Sequence, residues 1–408
     1  MMSGPLAGIR IIDMTSVLMG PYATQILGDM GADVIKVEAP AGDSTRGLGP
    51  MRHPGMGPLF LMANRSKRSI VLDLKKDEGR AALLALARDA DVLIYNVRPQ
   101  AMARLGLSYA EVRAVNPRII YVGVFGFGQD GPYAAKPAYD DLIQAAVAIP
   151  WLIAQAGGEP RYVPATIVDR GVGLNAVNVV TAALFHRERS GEGQAIDVPM
   201  FETMAQFVLG DHMGGRVFDP PLGPPGYARL LVEQRRPYRT KDGYICVLVY
   251  SDRQWQNFFD LIGRPEVFRT DPRFRNISTR TRHIDECYAL VAEALLTRTT
   301  AEWHAALEAA DIPVMPMQTL DGLLDDPHLA ATGFFRKAVH PTEGPVIDIA
   351  VPSRWSATPP VPERFAPRLG EHSVEVLREA GYDAAAIEAL IAAGVTIDGR
   401  TGAAAEAG

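Results

Sequence analysis

The sequence predicts an α/β protein: a large domain built on a parallel sheet, joined to a smaller α+β domain. Short strand-like runs alternate with helical patterns over residues 8–124, which is the signature of βαβ units with helices on both faces of a sheet. After Met204 that alternation fades. The chain has 408 residues, 48% hydrophobic and 22% charged, enough core for one large or two medium domains.

The elements follow in order. Gly8–Asp13 reads as a short buried strand, Pro21–Met30 as a helix ended by Gly31, and Ala32–Glu38 as the next strand. Ser69–Leu74, Glu78–Ala90 and Asp91–Tyr95 repeat the strand–helix–strand pattern. Pro99–Leu105 and Tyr109–Asn116 are helical, and Arg118–Val124 is a strand. A long apolar helix pattern covers Leu174–Arg187. Asp211–Gly226 is rich in Gly and Pro and reads as a crossing linker. Tyr238–Tyr250 is a hairpin turning at Lys241–Gly243, and helices follow at Arg253–Ile262, Ile284–Leu296 and Thr300–Ala310. A second crossing, rich in Pro and charge, runs over residues 325–367. Helices at Ser373–Ala380 and Asp383–Ala393 close the chain, and the Ala/Gly-rich tail 401–408 is expected to fray. The division is a large domain over 1–205, a linker over 206–226, a small domain over 227–322, a return over 323–367 and C-terminal helices over 368–400.

Composition removes several classes of function. A net charge of −6 argues against a nucleic-acid partner. The two cysteines, Cys246 and Cys287, have no metal-ligand spacing, and the scattered histidines form no HxH or HExxH pattern, so no metal is expected and a reducing cytoplasm fits. The N-terminal residues lack the charge and apolar core of a secretory leader. The apolar stretch Leu142–Ala156 is interrupted by Pro150 and is too short to span a bilayer, so no membrane partner is expected.

The segment Pro164–Gly173 carries the chemistry. An apolar approach leads to one acid, Asp169, then to glycines and a long helix. A carboxylate at a helix start is favoured by the N–H groups there, so Asp169 is expected to stay ionised, as a carboxylate nucleophile requires. Gly126–Gly131 matches GxGxxG, but Pro132 follows and no helix opens on the last glycine, so it reads as a turn lining a pocket rather than a dinucleotide loop. Glu38 ends its strand as a ribose-binding acid would, but residues 13–20 hold no glycine triplet. The basic run Asn64–Lys75 reads as a solvated charged face or as a polyphosphate grip. Asn96–Pro99 sits where a strand ends, with Arg104 one helical turn on.

Taken together, these residues resemble the class III CoA-transferases, which include formyl-CoA transferase, carnitine CoA-transferase and the α-methylacyl-CoA racemases. The resemblance rests on the order and spacing of Leu6–Asp13, Gly20–Pro21, Gly31–Glu38, Lys67–Ile70, Asn96 with Pro99, Gly126–Pro132, Gly191–Gln194, Asp326–Leu329 and Leu369–His372. It implies a Rossmann-like large domain, made discontinuous by the returning C-terminal helices, and an interlocked homodimer. It implies a CoA-transferase moving CoA between an acyl-CoA and a small carboxylic acid through an aspartyl-CoA thioester on Asp169. No permanently bound cofactor is implied; coenzyme A is substrate and carrier. Asp140 matches an acidic position close to the catalytic aspartate. CoA contacts carry over to Val17, Leu72, Lys75, Asn96 and Arg104, with Lys136 beside a position where formyl-CoA transferase has lysine. Gly171 and Gly173 would admit the acyl group and offer N–H donors to an oxyanion. The chain departs from formyl-CoA transferase at Ala39 and Pro137, where that enzyme has basic residues, which disfavours oxalate as acceptor. The alternative is an α-methylacyl-CoA racemase acting by α-proton abstraction. Such an enzyme needs a base on each face, and the family's racemases have a His where this chain has Tyr139, a poor base near neutral pH.

Overall fold

The computed structural model describes residues 3–400, so the expected tail 401–408 lies outside the described residues. The first half runs β1 (Arg10–Met14), α1 (Met19–Asp29), β2 (Asp33–Glu38), α2 (Pro58–Asn64), β3 (Lys67–Val71), α3 (Asp77–Ala87), β4 (Val92–Tyr95), α4 (Pro99–Arg104), α5 (Tyr109–Val115) and β5 (Ile120–Phe125). Then come α6 (Asp140–Ala146), α7 (Ile149–Gln155), α8 (Ile167–Ser190), β6 (Ala195–Pro199) and α9 (Met200–His212). The chain separates into two compact units, one of residues 3–143, 164–205 and 330–400, the other of 144–163 and 206–329.

In the first unit six strands form one sheet in the order β3-β2-β1-β4-β5-β6. Every pairing is parallel, with Ile12 beside Ile35 on one side and Leu93 on the other. The order reverses between β1 and β4, and open parallel sheets leave a ligand crevice at the carboxyl ends of the strands at such a point. The core sets Ile12, Ile35, Ile70 and Leu93 against Leu83 and Leu86 of α3. It also takes in Val376, Leu377 and Leu390 of the C-terminal helices α17 (Ser373–Glu379) and α18 (Ala384–Ala392). α8 ends on Gly191, whose φ of 78° supplies the left-handed cap. By length and composition α8 could also cross a membrane, but Val172, Ala176 and Val180 are fully buried, as on the inner face of a core helix.

The second unit contains β7 (Tyr238–Arg239), β8 (Tyr244–Val247), α10 (Asp252–Leu261), α11 (Pro265–Thr270), α12 (Ile277–Arg282), α13 (Ile284–Leu295), α14 (Thr300–Ala309), β9 (Val314–Pro316) and α15 (Leu320–Leu324). Its three strands pair antiparallel around Trp255, Phe258, Phe259, Phe274 and Trp303.

Four expectations need correction. Residues 144–163 belong to the second unit rather than the first. Pro150 does not break that stretch: it sits in the first turn of α7, where its missing N–H costs nothing. The return at 323–367 is not a bare linker. It carries α16 (Pro327–Ala331) and the hairpin of β10 (Phe335–His340) and β11 (Gly344–Ile349), and that hairpin belongs to the first unit.

The fourth concerns the basic run, which is buried rather than solvated over residues 64–72, with only Lys75 at its end exposed. β3 is buried at every residue. Lys67 donates to Asp13 at 3.0 Å, the Pro21 carbonyl at 2.9 Å and Asn64 at 2.8 Å. Arg65 grips Asp29 and Asp348, and Arg68 grips Asp33, Glu375 and Glu379. Glu38 is no ribose ligand, because Arg46 forks onto it at 2.8 and 2.7 Å and Ser69 adds a third bond. Each of these cations therefore already has a carboxylate partner.

Candidate active site

A cleft of about 630 Å³ opens where the strands of the first unit end. Its walls come from four chain segments: Ser16–Met19 after β1, Asn96–Arg98 with Ala101 after β4, Val124–Gly126 leading to Lys136–Asp140 after β5, and Met200 after β6. Asp169 of α8 completes it. No helix opens on Gly131; the next one starts at Asp140.

Asp169 is not a residue preceding a helix. α8 starts at Ile167, which puts Asp169 in its first turn. The leading N–H groups are already bonded: Val168 and Asp169 both donate to Asp140 Oδ1 at 2.9 Å. Asp140 thus supplies the cap that Thr166 does not. The Asp169 carboxylate has no hydrogen-bond donor or ion-pair partner among the described residues. Burial raises its pKa to about 6, the adjacent Asp140 charge adds to the rise, and Arg170 only partly offsets it. The guanidinium of Arg170 lies 4.4 Å over the Tyr22 ring. Asp169 is therefore less acidic than its place on a helix suggests, because the stabilising N–H groups belong to its neighbour.

Five of the expected site residues meet in this cleft: Val17, Asn96, Lys136, Asp140 and Asp169. Asn96 spends most of its amide on the protein, accepting from the Ser16 N–H at 3.1 Å and donating to the Ser16 carbonyl at 2.8 Å. Lys136 lies 3.7 Å over the Tyr133 ring. Lys75 and Arg104 are exposed and outside the lining. Leu72 does not reach the cleft by its side chain, which is 1% exposed within the apolar core.

The oxyanion reading of the two glycines is also corrected. Gly171 and Gly173 lie beyond the first turn of α8, so their N–H groups are committed to the helix. Gly173 instead lets α8 approach α1: a Cβ there would stand 2.9 Å from the Met19 carbonyl and 3.0 Å from the Tyr22 ring.

The sequence reading missed Arg98, which lines the cleft and donates to the Ala135 carbonyl at 3.1 Å. Its place in the Asn96–Pro99 string was the available signal. It also missed Lys36 and Asp43, which pair with each other and reach back 21 and 26 residues to the turn after β1. Tyr139 lines the cleft, and no histidine does. A larger cleft of about 730 Å³ lies between residues 50–65 and the β10–β11 hairpin. Its carboxylates Asp348 and Glu343 are engaged by Arg65 and His53, whereas Asp169 in the smaller cleft is not.

The family model described as CoA-transferase family III matches residues 6–373. The chain is 34% identical over 383 residues to the succinate–glutarate CoA-transferase of Agrobacterium fabrum, spanning 92% of this chain and 95% of that one. It is 34% identical over 401 residues to the formyl-CoA:oxalate CoA-transferase of Streptomyces avermitilis, spanning 92% and 95%. The orthorhombic crystal structure of Rv3272 from Mycobacterium tuberculosis aligns with a TM-score of 0.79 at 30% identity, covering 92% of this chain and 99% of that one.

Proposed function

The chain belongs to CoA-transferase family III and is a CoA-transferase, and we propose that it works through an aspartyl-CoA thioester on Asp169. The supporting observation is a single unpaired carboxylate in a cleft at the carboxyl edge of the sheet, with its pKa raised to about 6. At neutral pH such a group is mostly ionised yet more basic than an ordinary aspartate, which suits a carboxylate nucleophile.

The steps balance without a proton. Asp169 attacks the thioester carbonyl of the donor, giving a mixed anhydride and CoA thiolate. The thiolate attacks the Asp169 carbonyl and expels the donor acid, leaving aspartyl-CoA. The acceptor carboxylate attacks that thioester, again giving an anhydride and thiolate. The thiolate then attacks the acceptor carbonyl, and Asp169 is free. Water must be kept out, since hydrolysis of either intermediate would waste the thioester. Within this reading, Lys136, Arg98, Lys75 and Arg104 meet the negative groups of CoA, and Asp140 fixes the first turn of α8.

Large apolar side chains left exposed on α8 and α9, Leu174, Phe185 and Phe207, support assembly as a homodimer. The donor screen begins with succinyl-CoA against glutarate and oxalate, the acids named for the relatives. The deciding experiment is mass spectrometry of the protein after succinyl-CoA, with borohydride or hydroxylamine trapping. The reading requires an adduct on Asp169. Absence of that adduct, together with α-hydrogen exchange into deuterated solvent from an α-methylacyl-CoA without any acceptor acid, would replace it with the racemase.

A further inference from the structure

Val17 lines the cleft with a φ of 71°. A β-branched residue in the left-handed region is an outlier, and it persists only where its surroundings over-determine it. Here they do. Asp13 Oδ1 accepts from the Thr15 N–H at 2.9 Å and its hydroxyl at 2.5 Å, and Lys36 donates to the Thr15 carbonyl at 2.9 Å. Asn96 clasps both backbone groups of Ser16. Asp43 accepts from the Val17 N–H on both oxygens, at 3.3 and 3.2 Å.

Asp43 differs from the other three holders, because it alone grips the strained residue. It is itself fixed beforehand: Oδ2 takes Lys36 at 2.9 Å, Oδ1 takes the Thr45 N–H and hydroxyl, and its own N–H donates to Glu38 at 3.1 Å. Lys36, Asp43 and Glu38 are buried, and none of them lines the cleft. Any influence they have on a bound CoA ester must pass through the turn.

We propose that Asp43 is a positioning residue for the transferase site, holding Val17 in its left-handed conformation and so setting the cleft wall that faces the ligand beside Asp169. The inference rests on the CoA-transferase reading. It predicts coupling between two residues, because glycine adopts that conformation without strain. Asp43→Ala should weaken binding of free coenzyme A, measured by titration calorimetry, on the order of tenfold, the scale of one strained residue. It should also slow labelling of Asp169 by succinyl-CoA. Adding Val17→Gly should recover most of the lost affinity while the melting temperature stays at the single variant's value. A double variant that is merely additive overturns the proposal, since Asp43 would then act only as the partner of Lys36. Asp43→Asn keeps an acceptor for Val17 and loses the charge facing Lys36. It should retain most of the affinity that alanine loses, at a lowered melting temperature. If Asp43→Ala does not fold, that variant decides: affinity falling in step with melting temperature refutes the role. A wild-type chain that binds no coenzyme A overturns the transferase reading and this one with it. A wild-type chain that binds, with no recovery in the variants, overturns this one alone.

Discussion

Asp13 and Asp169 are both carboxylates taken out of water in the same unit, and they end at opposite poles. Burial alone pushes Asp13 up. The ammonium groups of Lys67 and Lys36 and the hydroxyls of Thr15 and Thr24 outweigh it, and the acid settles at about 2. Burial also pushes Asp169 up, and the Asp140 charge pushes further, to about 6. What decides the outcome is partner count, since a desolvated charge is tolerated only where opposite charge and donors replace the water. The paired acid is locked into the fold, whereas the unpaired one keeps its oxygens open to the cleft.

The strongest test of that division is removal of the unpaired acid. Asp169→Asn should cut CoA transfer by about 10³-fold or more, as expected when a nucleophile is deleted. The fold should survive, because the cap on α8 comes from Asp140. Native Asp169 protonates more readily than in the unfolded chain, so its contribution to stability declines as pH rises from about 4 through about 6. Above that it is a standing penalty on the order of 1–3 kcal/mol. Asp169→Asn should therefore raise the urea midpoint at pH 7 while abolishing activity. Loss of both together would mean that the acid is structural after all.

The converse test breaks a pair. Lys67→Met leaves the fully buried Asp13 short of its closest cation and should cost about 3–5 kcal/mol in urea unfolding at pH 7. In the wild type the folded Asp13 binds its proton less readily than the unfolded one. Its contribution, about 2 kcal/mol, is present above about pH 4 and lost as pH falls from there towards 2. Lys67→Met should flatten that acid limb. A variant as acid-sensitive as the wild type would show that Lys67 is not what holds Asp13 ionised.

Smaller effects separate packing from chemistry on α8. Gly173→Ala places a methyl against the Met19 carbonyl and the Tyr22 ring and should cost about 1–3 kcal/mol. Gly171→Ala meets only the Met204 sulfur at 3.4 Å and should gain about 0.5–1 kcal/mol of helix propensity. A folded Gly171→Ala protein with transfer greatly reduced would return that glycine to the reacting centre.

The alternation of strands and helices was legible along the chain because parallel βαβ units have a local period. Asp169 was legible because an acid followed by glycines and a long apolar helix stands out. The fate of the basic run was not, because Asp29, Asp33, Asp348 and Glu379 lie remote in sequence from the arginines they meet. The cap on α8 was hidden for the same reason, since Asp140 lies 29 residues before the Asp169 N–H that it accepts. A left-handed Val17 leaves no trace in composition. Local pattern reports elements, and the charges that tune a site are assembled by topology.

Asp140→Asn offers the finest test of the comparison, because it moves Asp169 towards the situation of Asp13 without adding a cation. The amide oxygen can still accept from Val168 and Asp169, so α8 keeps its cap. What disappears is the like charge, the second-largest cause of the raised pKa after burial. In the wild type the transfer rate should fall as pH drops through about 6, where Asp169 gains its proton and loses its nucleophilic form. In Asp140→Asn that acid limb should move to lower pH, making the variant relatively faster at pH 5.5 by about threefold for a shift of one pKa unit. The plateau at pH 8 should stay level or decline slightly, since a more acidic carboxylate is a weaker nucleophile. An acid limb that stays in place would assign the elevation of Asp169 to burial alone, and Asp140 would be left with the helix cap as its role.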